Sequence, residues 1–394
     1  MERDSEAKAT AKAYAIEAEN EAETGDSINA APGAKPLRAA GVFLLAVLLL
    51  ILAACGSKGE APLKISEENL IENAKKERYL YTVSMPDTWA NWKETWQDLQ
   101  ELYGISHQDT DMSSAEELKF FRNSQNTPRD LGDVGKTYAI QAERENLLLK
   151  YKTSYWDEIP DWAKDDDGDW ILSYTGTISF ISNDRKVPHP PTSWADVEKG
   201  DYSVTIGDVI SGAQSQYAVL SSAYAFGGGV DNIRPGVDFW KELARRGRLD
   251  KAYSRVDRIV AGETDLMILL DFNCLNYQKE AKEKNPSLSY TVTIPQDGSL
   301  SIGYATILSR NASHPHAAAL AREYILSDAG QLNLAKGFAR PIRSVAVPEE
   351  IAAQMIPQEQ YKNVIHLEDE EKLKKAIAQI VDAWANEILP MIYE

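Results

Sequence analysis

The feature that most constrains this fold is the unbroken β-rich run from Ile171 to Ile181, Ile-Leu-Ser-Tyr-Thr-Gly-Thr-Ile-Ser-Phe-Ile. It outruns a typical strand of about 5–6 residues and is long enough to cross from one lobe to another. The chain before it alternates strands and helices. Ser66-Glu67-Glu68-Asn69 opens a helix, Tyr79–Val83 is a strand, and Trp89, Trp92, Trp96 and Leu99 recur at helical spacing. That stripe reads as core rather than as a sugar platform. Ser113-Ser114-Ala115-Glu116-Glu117 holds two overlapping capping boxes, Leu131–Gly135 is a short strand, and Tyr138–Tyr151 is a helix. After the long run come a strand at Tyr202–Ile206, a helix at Ala213–Ala225, a helical stretch at Tyr253–Ala261 and an apolar strand at Leu266–Leu270. A return strand at Leu300–Ser309 is followed by helices near Pro315–Leu326, Gly330–Ala335 and Glu368–Ile388. This order predicts an α/β protein of two lobes joined by two crossings, with residues 65–172 and 306–394 in lobe 1 and 173–305 in lobe 2. A cleft between lobes is where a ligand sits.

Ahead of the lobes, Ala39–Ala54 is an apolar run of about 16 residues, short of the roughly 20 that span a bilayer. It follows Lys35 and Arg38, as the core of a secretory signal does. Its end, Leu52-Ala53-Ala54-Cys55-Gly56-Ser57, resembles the lipobox of bacterial lipoproteins. That resemblance implies removal of residues 1–54 and lipidation of Cys55, with residues 55–64 as a tether. Residues 1–34, rich in Ala and Glu, form an unusual extension to which no function is assigned.

Composition removes several classes. A net charge of −18 argues against nucleic acid, whose phosphates demand clustered Lys and Arg. The two cysteines, Cys55 and Cys274, are far apart and outside any metal-binding spacing, and Cys274 reads as a small apolar residue. Asp165-Asp166-Asp167-Gly168-Asp169 suggests a calcium loop, but with Gly168 at the sixth position an EF-hand needs a ligand at 163 and Glu at 174. Those are Ala163 and Tyr174, so the run reads as a solvated turn. No nucleophile elbow, zinc-protease pair or phosphate-binding loop is present. His314 and His316 begin a helix, where a structural role is expected. The reading is of a protein that is no enzyme and carries neither cofactor nor metal.

Four stretches, in this order and spacing, carry a resemblance. They are Pro191-Thr192-Ser193-Trp194-Ala195-Asp196, Ile294-Pro295-Gln296-Asp297-Gly298-Ser299, His314-Pro315-His316-Ala317-Ala318, and Ser327-Asp328-Ala329-Gly330-Gln331 with Ala339-Arg340-Pro341. Over roughly Leu70–Arg343 the chain resembles extracellular solute-binding proteins of bacterial ABC importers. It is most similar to the branch that binds ferric iron, phosphonate, thiamine, hexose phosphate or polyamine. The resemblance implies a type II periplasmic-binding-protein fold that closes by a hinge. It also implies a monomer held by lipid on the extracytoplasmic face of the cell membrane, delivering a small molecule to a permease. A sensory lipoprotein that reports to a membrane kinase or chemoreceptor would share the same fold.

In that family, ligands touch loops at the C-terminal ends of strands, as in open α/β sheets generally. Four loops qualify here. Ser84–Thr88 offers Ser84, Asp87 and Thr88, and Gly132–Thr137 offers Asp133. Ser211-Gly212-Ala213-Gln214-Ser215 lies at a helix N-terminus suited to an anion. Asp271-Phe272-Asn273 offers Asp271 and Asn273. Tyr174 and Tyr304 lie near the crossings, where they stack on a ligand or line the hinge. Ferric-binding relatives carry adjacent tyrosines where this chain has Asp271 and Phe272, which argues against iron. The expected ligand is a small polar phosphate- or phosphonate-bearing solute, zwitterionic ones such as aminophosphonates included. Ferric iron and polyamines are the alternatives within the same family.

Overall fold

The computed structural model describes residues 69–123, 129–252, 254–367 and 369–393. The signal region, the tether and Cys55 lie outside them. Among the described residues no helix is long and apolar enough to cross a membrane.

Lobe 1 begins with α1 (Leu70–Glu77), β1 (Tyr79–Val83), α2 (Trp92–Tyr103), β2 (Ser106–Thr110), α3 (Ser114–Arg122), β3 (Leu131–Gly135) and α4 (Lys136–Arg144). β1 pairs in parallel with both β2 and β3. Helix α4 stops at Arg144, short of the expected Tyr151. Asn146 turns with φ of 58° and Leu148 bridges to Ser309, so the chain returns to the sheet. The long strand is β4 (Trp170–Asn183), 14 residues. Lobe 2 adds α5 (Trp194–Lys199), β5 (Val204–Thr205), α6 (Ala213–Ala225), α7 (Arg234–Arg245), α8 (Val256–Ala261), β6 (Leu266–Leu270), α9 (Asp271–Lys284) and β7 (Tyr290–Thr293).

The return strand β8 (Ser299–Leu308) runs antiparallel to β4 from Trp170↔Ile307 to Thr177↔Ser301, with a bulge at Leu172/Tyr174. Its C-terminal half pairs with β3, while the far half of β4 pairs with β6 and β7. The path through the sheet is β2-β1-β3-β8-β4-β6-β5. β4 and β8 therefore belong to both lobes, and these are the two crossings.

The chain ends with α10 (Pro315–Leu326), α11 (Asp328–Lys336), β9 (Arg340–Pro341), α12 (Glu349–Ala352), β10 (Val364–Ile365), α13 (Glu370–Ala383), a π-helical turn (Trp384–Ile388) and α14 (Leu389–Tyr393). One boundary differs from expectation. Helices α10 and α11 pack with lobe 1, but α13 lies against α6, and Glu387 pairs with Arg234 and Lys241 of α7, each at 2.7 Å. The last helices therefore pack on lobe 2 through the buried stripe of α13 (Leu373, Ala376, Ile377, Ile380), while Glu370 and Glu371 at its start pair with Lys136 and Arg144 of α4 in lobe 1.

Family motifs turn out to be joints. Asp297 accepts from the backbone N–H groups of Trp194 (2.9 Å) and Ala195 (3.2 Å), and Gln296 N–H donates to the Thr192 carbonyl. Gln331 accepts from the N–H groups of Ile342 and Arg343 and donates to the Ser173 carbonyl of β4. His314 pairs with Asp130 and His316 with Glu77, at 2.9 and 2.7 Å. The joints at Asp297, Gln331 and His314 tie a helix to a sheet or its flanking loop, and His316–Glu77 joins the start of α10 to the end of α1.

Candidate functional site

Three of the four expected loops converge. Ser84, Asp133 and the stretch Ser211–Ser215 line one cavity of about 400 Å³ between the lobes. Trp89, Tyr304, Asp111, Glu116, Asp208 and Ser254 complete its chemistry.

The loop after β1 is bent by left-handed residues, with φ of 61° at Ser84, 47° at Ala90 and 60° at Asn91. This turns Trp89 away from the helical stripe. Trp92, Trp96 and Leu99 are buried in the core as expected, whereas Trp89 reaches the cleft. Its indole packs edge-on against Phe272 (centroids 5.2 Å apart) and Tyr304 (5.5 Å). Its N–H donates to the Tyr174 hydroxyl at 2.5 Å, and Tyr174 donates to Asp133 Oδ2 at 2.6 Å. Tyr174 lies beneath the cleft, fully buried and stacked on Tyr304 with an interplanar angle of 3°.

Asp133 is 2% exposed, and its other oxygen, Oδ1, meets no protein donor. Burial raises its pKa well above the carboxylate range, against the Tyr174 hydroxyl and Trp92 indole, and Asp109 adds repulsion. Asp111 is raised by burial and then by Asp109 and Glu116. The sequence missed Glu117. Its spacing from Ser114 suggested a second capping box, but only the Ser113/Glu116 box forms. Glu117 turns inward, fully buried, with neither carboxyl oxygen partnered. Burial raises it well above the usual range, Ser84 opposes this, and Asp133 and Asp109 reinforce it.

On the lobe 2 side, helix α6 starts at the cleft without a side-chain cap. Its expected anion donors are spent locally: Ser211 donates to Asp208 and Ser215 to the Ile206 carbonyl at 2.9 Å. Gly207, with φ of 90°, brings the backbone close enough that a Cβ would lie 2.9 Å from Ser215 Oγ. Among the described residues the cleft lining thus carries four carboxyl groups, Asp111, Glu116, Asp133 and Asp208, and no lysine or arginine.

The remaining expected residues lie elsewhere. Asp87 and Thr88 line a separate groove with Asn276 and Lys279. Asp271 is buried as an anchor, accepting from the N–H groups of Thr177 and Phe272 and from the Tyr361 hydroxyl at 2.6 Å. Asn273 donates to Gln214 Oε1 (3.2 Å), which also accepts from Leu270 N–H, and so orients Gln214 rather than facing the cavity. Cys274 is buried among apolar residues, which raises its thiol pKa. In the acidic turn, Glu143, Asp165 and Asp169 bring carboxylate oxygens within 4.8 Å of one another. Backbone N–H groups of Asp167 and Asp169 hold Asp165, and Lys150 neutralises Asp169 at 3.2 Å.

No curated protein matches the chain in sequence. Solved structures do match in fold. AfuA from Actinobacillus pleuropneumoniae, with exogenous fructose-6-phosphate bound, is 16% identical over 79% of this chain and 98% of its own, with a TM-score of 0.65. Iron-bound HitA from Pseudomonas aeruginosa is 17% identical over 77% and 99%, with a TM-score of 0.60. An ABC transporter protein from Clostridium perfringens is 18% identical over 78% and 99%, with a TM-score of 0.55. The architecture is thus the α/β type II periplasmic-binding-protein fold. The model of the bacterial extracellular solute-binding protein family matches residues 129–366, more than half of the chain. This chain therefore belongs to the bacterial extracellular solute-binding proteins, which capture a solute for transport rather than transform it.

Proposed function

We propose that the chain is the lipid-anchored receptor of an ABC importer, and that its cleft takes a small organic solute bearing an ammonium group. The observation that carries the ligand reading is the set of four carboxyl groups in the lining, with no lysine or arginine among its described residues. A phosphate dianion would meet repulsion there, whereas an ammonium gains charge-assisted hydrogen bonds in a low-dielectric site. Trp89 and Tyr304 add aromatic faces suited to a cation. Ferric iron fits poorly, because Asp271 and Phe272 are both buried at the crossing rather than open to the cleft. The uncapped start of α6 supports a second reading, a zwitterion whose anionic end sits at that helix terminus. Lipid anchoring at Cys55 rests on the lipobox resemblance alone.

Thermal shift at neutral pH separates these ligands. 1,4-Diaminobutane and 4-aminobutanoate are expected to stabilise the protein, and glucose 6-phosphate and ferric citrate are not. Stabilisation by the sugar phosphate or iron alone removes the ammonium reading. Stabilisation by 4-aminobutanoate and 2-aminoethylphosphonate over the diamine selects the zwitterion.

A further inference from the structure

Two carboxyl groups at the floor of the cleft have no cation beside them. Glu117 reaches from α3 onto the backbone of β3, so close that a Cβ on Gly132 would lie 1.7 Å from its Oε1. The next residue is Asp133. Three of the four oxygens of this pair, both of Glu117 and Oδ1 of Asp133, make no hydrogen bond, although the Ser84 hydroxyl and the Trp92 indole lie near enough to oppose the upward shifts.

The titratable groups around them supply none either. Asp109 on β2 is itself an acceptor, from Thr82 at 2.7 Å and Met85 N–H at 3.0 Å. His107, also on β2, is held neutral by burial, its pKa lowered to about 4. Tyr174 on β4 and Tyr304 on β8 are buried phenols that stay protonated, and the neighbouring lining side chains Asp111, Glu116 and Asp208 are further carboxyl groups rather than cations. A bare carboxylate in such surroundings is costly, and the ordinary escape is to bind a proton.

The hydrogen bonds decide which oxygen is left uncommitted. Trp89 N–H occupies the Tyr174 oxygen, which leaves the Tyr174 proton directed at Asp133 Oδ2. Oδ2 is committed and Oδ1 is open. Trp89 and Tyr174 are thus positioning residues, and Trp89 also touches Phe272 of lobe 2.

Building on the ammonium reading of the cleft, we propose that solute capture is a cation-for-proton exchange at Asp133. In the ligand-free protein the Asp133/Glu117 pair is protonated. An ammonium group arriving at Oδ1 is bound by the Asp133 carboxylate, and the proton that carboxyl carried leaves to bulk water. One positive charge enters and one departs. Affinity then rises with pH, by up to about tenfold per unit while Asp133 is protonated in the free protein. Release is favoured on the acidic side.

Two measurements on the unmodified protein test this. Infrared spectroscopy of the ligand-free protein near neutral pH should show a protonated-carboxyl band that loses one component, that of Asp133, when 1,4-diaminobutane is added. Calorimetry of the same diamine in two buffers of different ionisation enthalpy should show about one proton released per diamine bound. Asp133→Asn should remove the component that responds to the diamine, and Glu117→Gln should remove only the component that does not. Absence of the band from the ligand-free protein overturns the exchange. Diamine binding that leaves the band intact and releases no proton also overturns it, while leaving the ammonium reading standing. A band with no diamine binding at any pH removes the ammonium reading, and the exchange with it.

Discussion

Two cavities lie on opposite faces of the β4–β8 crossing, and the larger one is the less persuasive site. The cleft holds about 400 Å³ and the rear cavity about 690 Å³. Alternation along β8 separates them, with Ser301 and Gly303 facing the rear and Tyr304 the cleft. The rear cavity is rich in cations, among them Lys136, Arg144 and Lys164. These are already engaged. Lys136 pairs with Glu370 at 2.7 Å and donates to the Trp162 carbonyl, Arg144 pairs with Glu371, and Lys164 donates to the carbonyls of Trp156 and Ile159. The cleft shows the reverse, with buried acceptors left open. Volume and formal charge describe a surface; a buried polar group without a partner points to a ligand.

The strongest way to break this comparison is to neutralise one acid on each face. Asp133→Asn should weaken 1,4-diaminobutane binding at least 100-fold, about 3 kcal/mol, while Glu370→Gln changes it less than twofold by calorimetry. Equal losses would erase the distinction.

The next test is steric. Gly132→Ala drives a methyl group onto the Glu117 carboxyl and should cost about 1–3 kcal/mol of stability in urea unfolding. Pairing it with Glu117→Ala should recover part of that loss, since the two changes share one space.

The third concerns pH in the ligand-free protein. Asp133 and Glu117 have folded-state pKa values raised above their unfolded ones. Their contribution is therefore fully present below the unfolded carboxylate pKa and is lost as pH rises through the folded values. Thermal melts should weaken with rising pH by at most about 1.4 kcal/mol per unit per proton. Glu117→Gln should flatten the profile, and an unchanged slope would mean that Glu117 is charged in the fold. The smallest effect belongs to the rear face. Removing the half-exposed Lys136–Glu370 pair by Glu370→Gln should cost roughly 0.2–1 kcal/mol, shrinking in high salt.

The loops were legible because strand ends in an α/β layer converge, which is how Ser84, Asp133 and Ser211–Ser215 came to share one cavity. Trp89 was not legible. It falls on the same helical period as Trp92 and Trp96, and only the left-handed Ala90 and Asn91 take it off the helix. Glu117 was hidden by a capping-box spacing that its neighbour Glu116 satisfies instead. Asp208 carried a faint signal, three residues before Ser211 in a helix-start sequence, and it spends the hydroxyl expected to face an anion. Asp271 and Asn273 sit at the right strand end, yet their side chains are consumed by Thr177, Tyr361 and Gln214.

The sequence by itself determined the family and the two-lobed plan. Its motifs encode local joints, such as Asp297 on the start of α5 and Gln331 under β4, whose residue spacing is dictated by short-range geometry. Tertiary structure alone decided the electrostatic sign of the cleft. A serine-rich helix start suggests an anion when read along the chain, but Asp111, Asp133 and Asp208 come from separate segments and meet only when the lobes fold together. Tertiary packing also decided which of those acids lost their water and kept no partner. Desolvation depends on what packs around a group, and no spacing in one dimension records it.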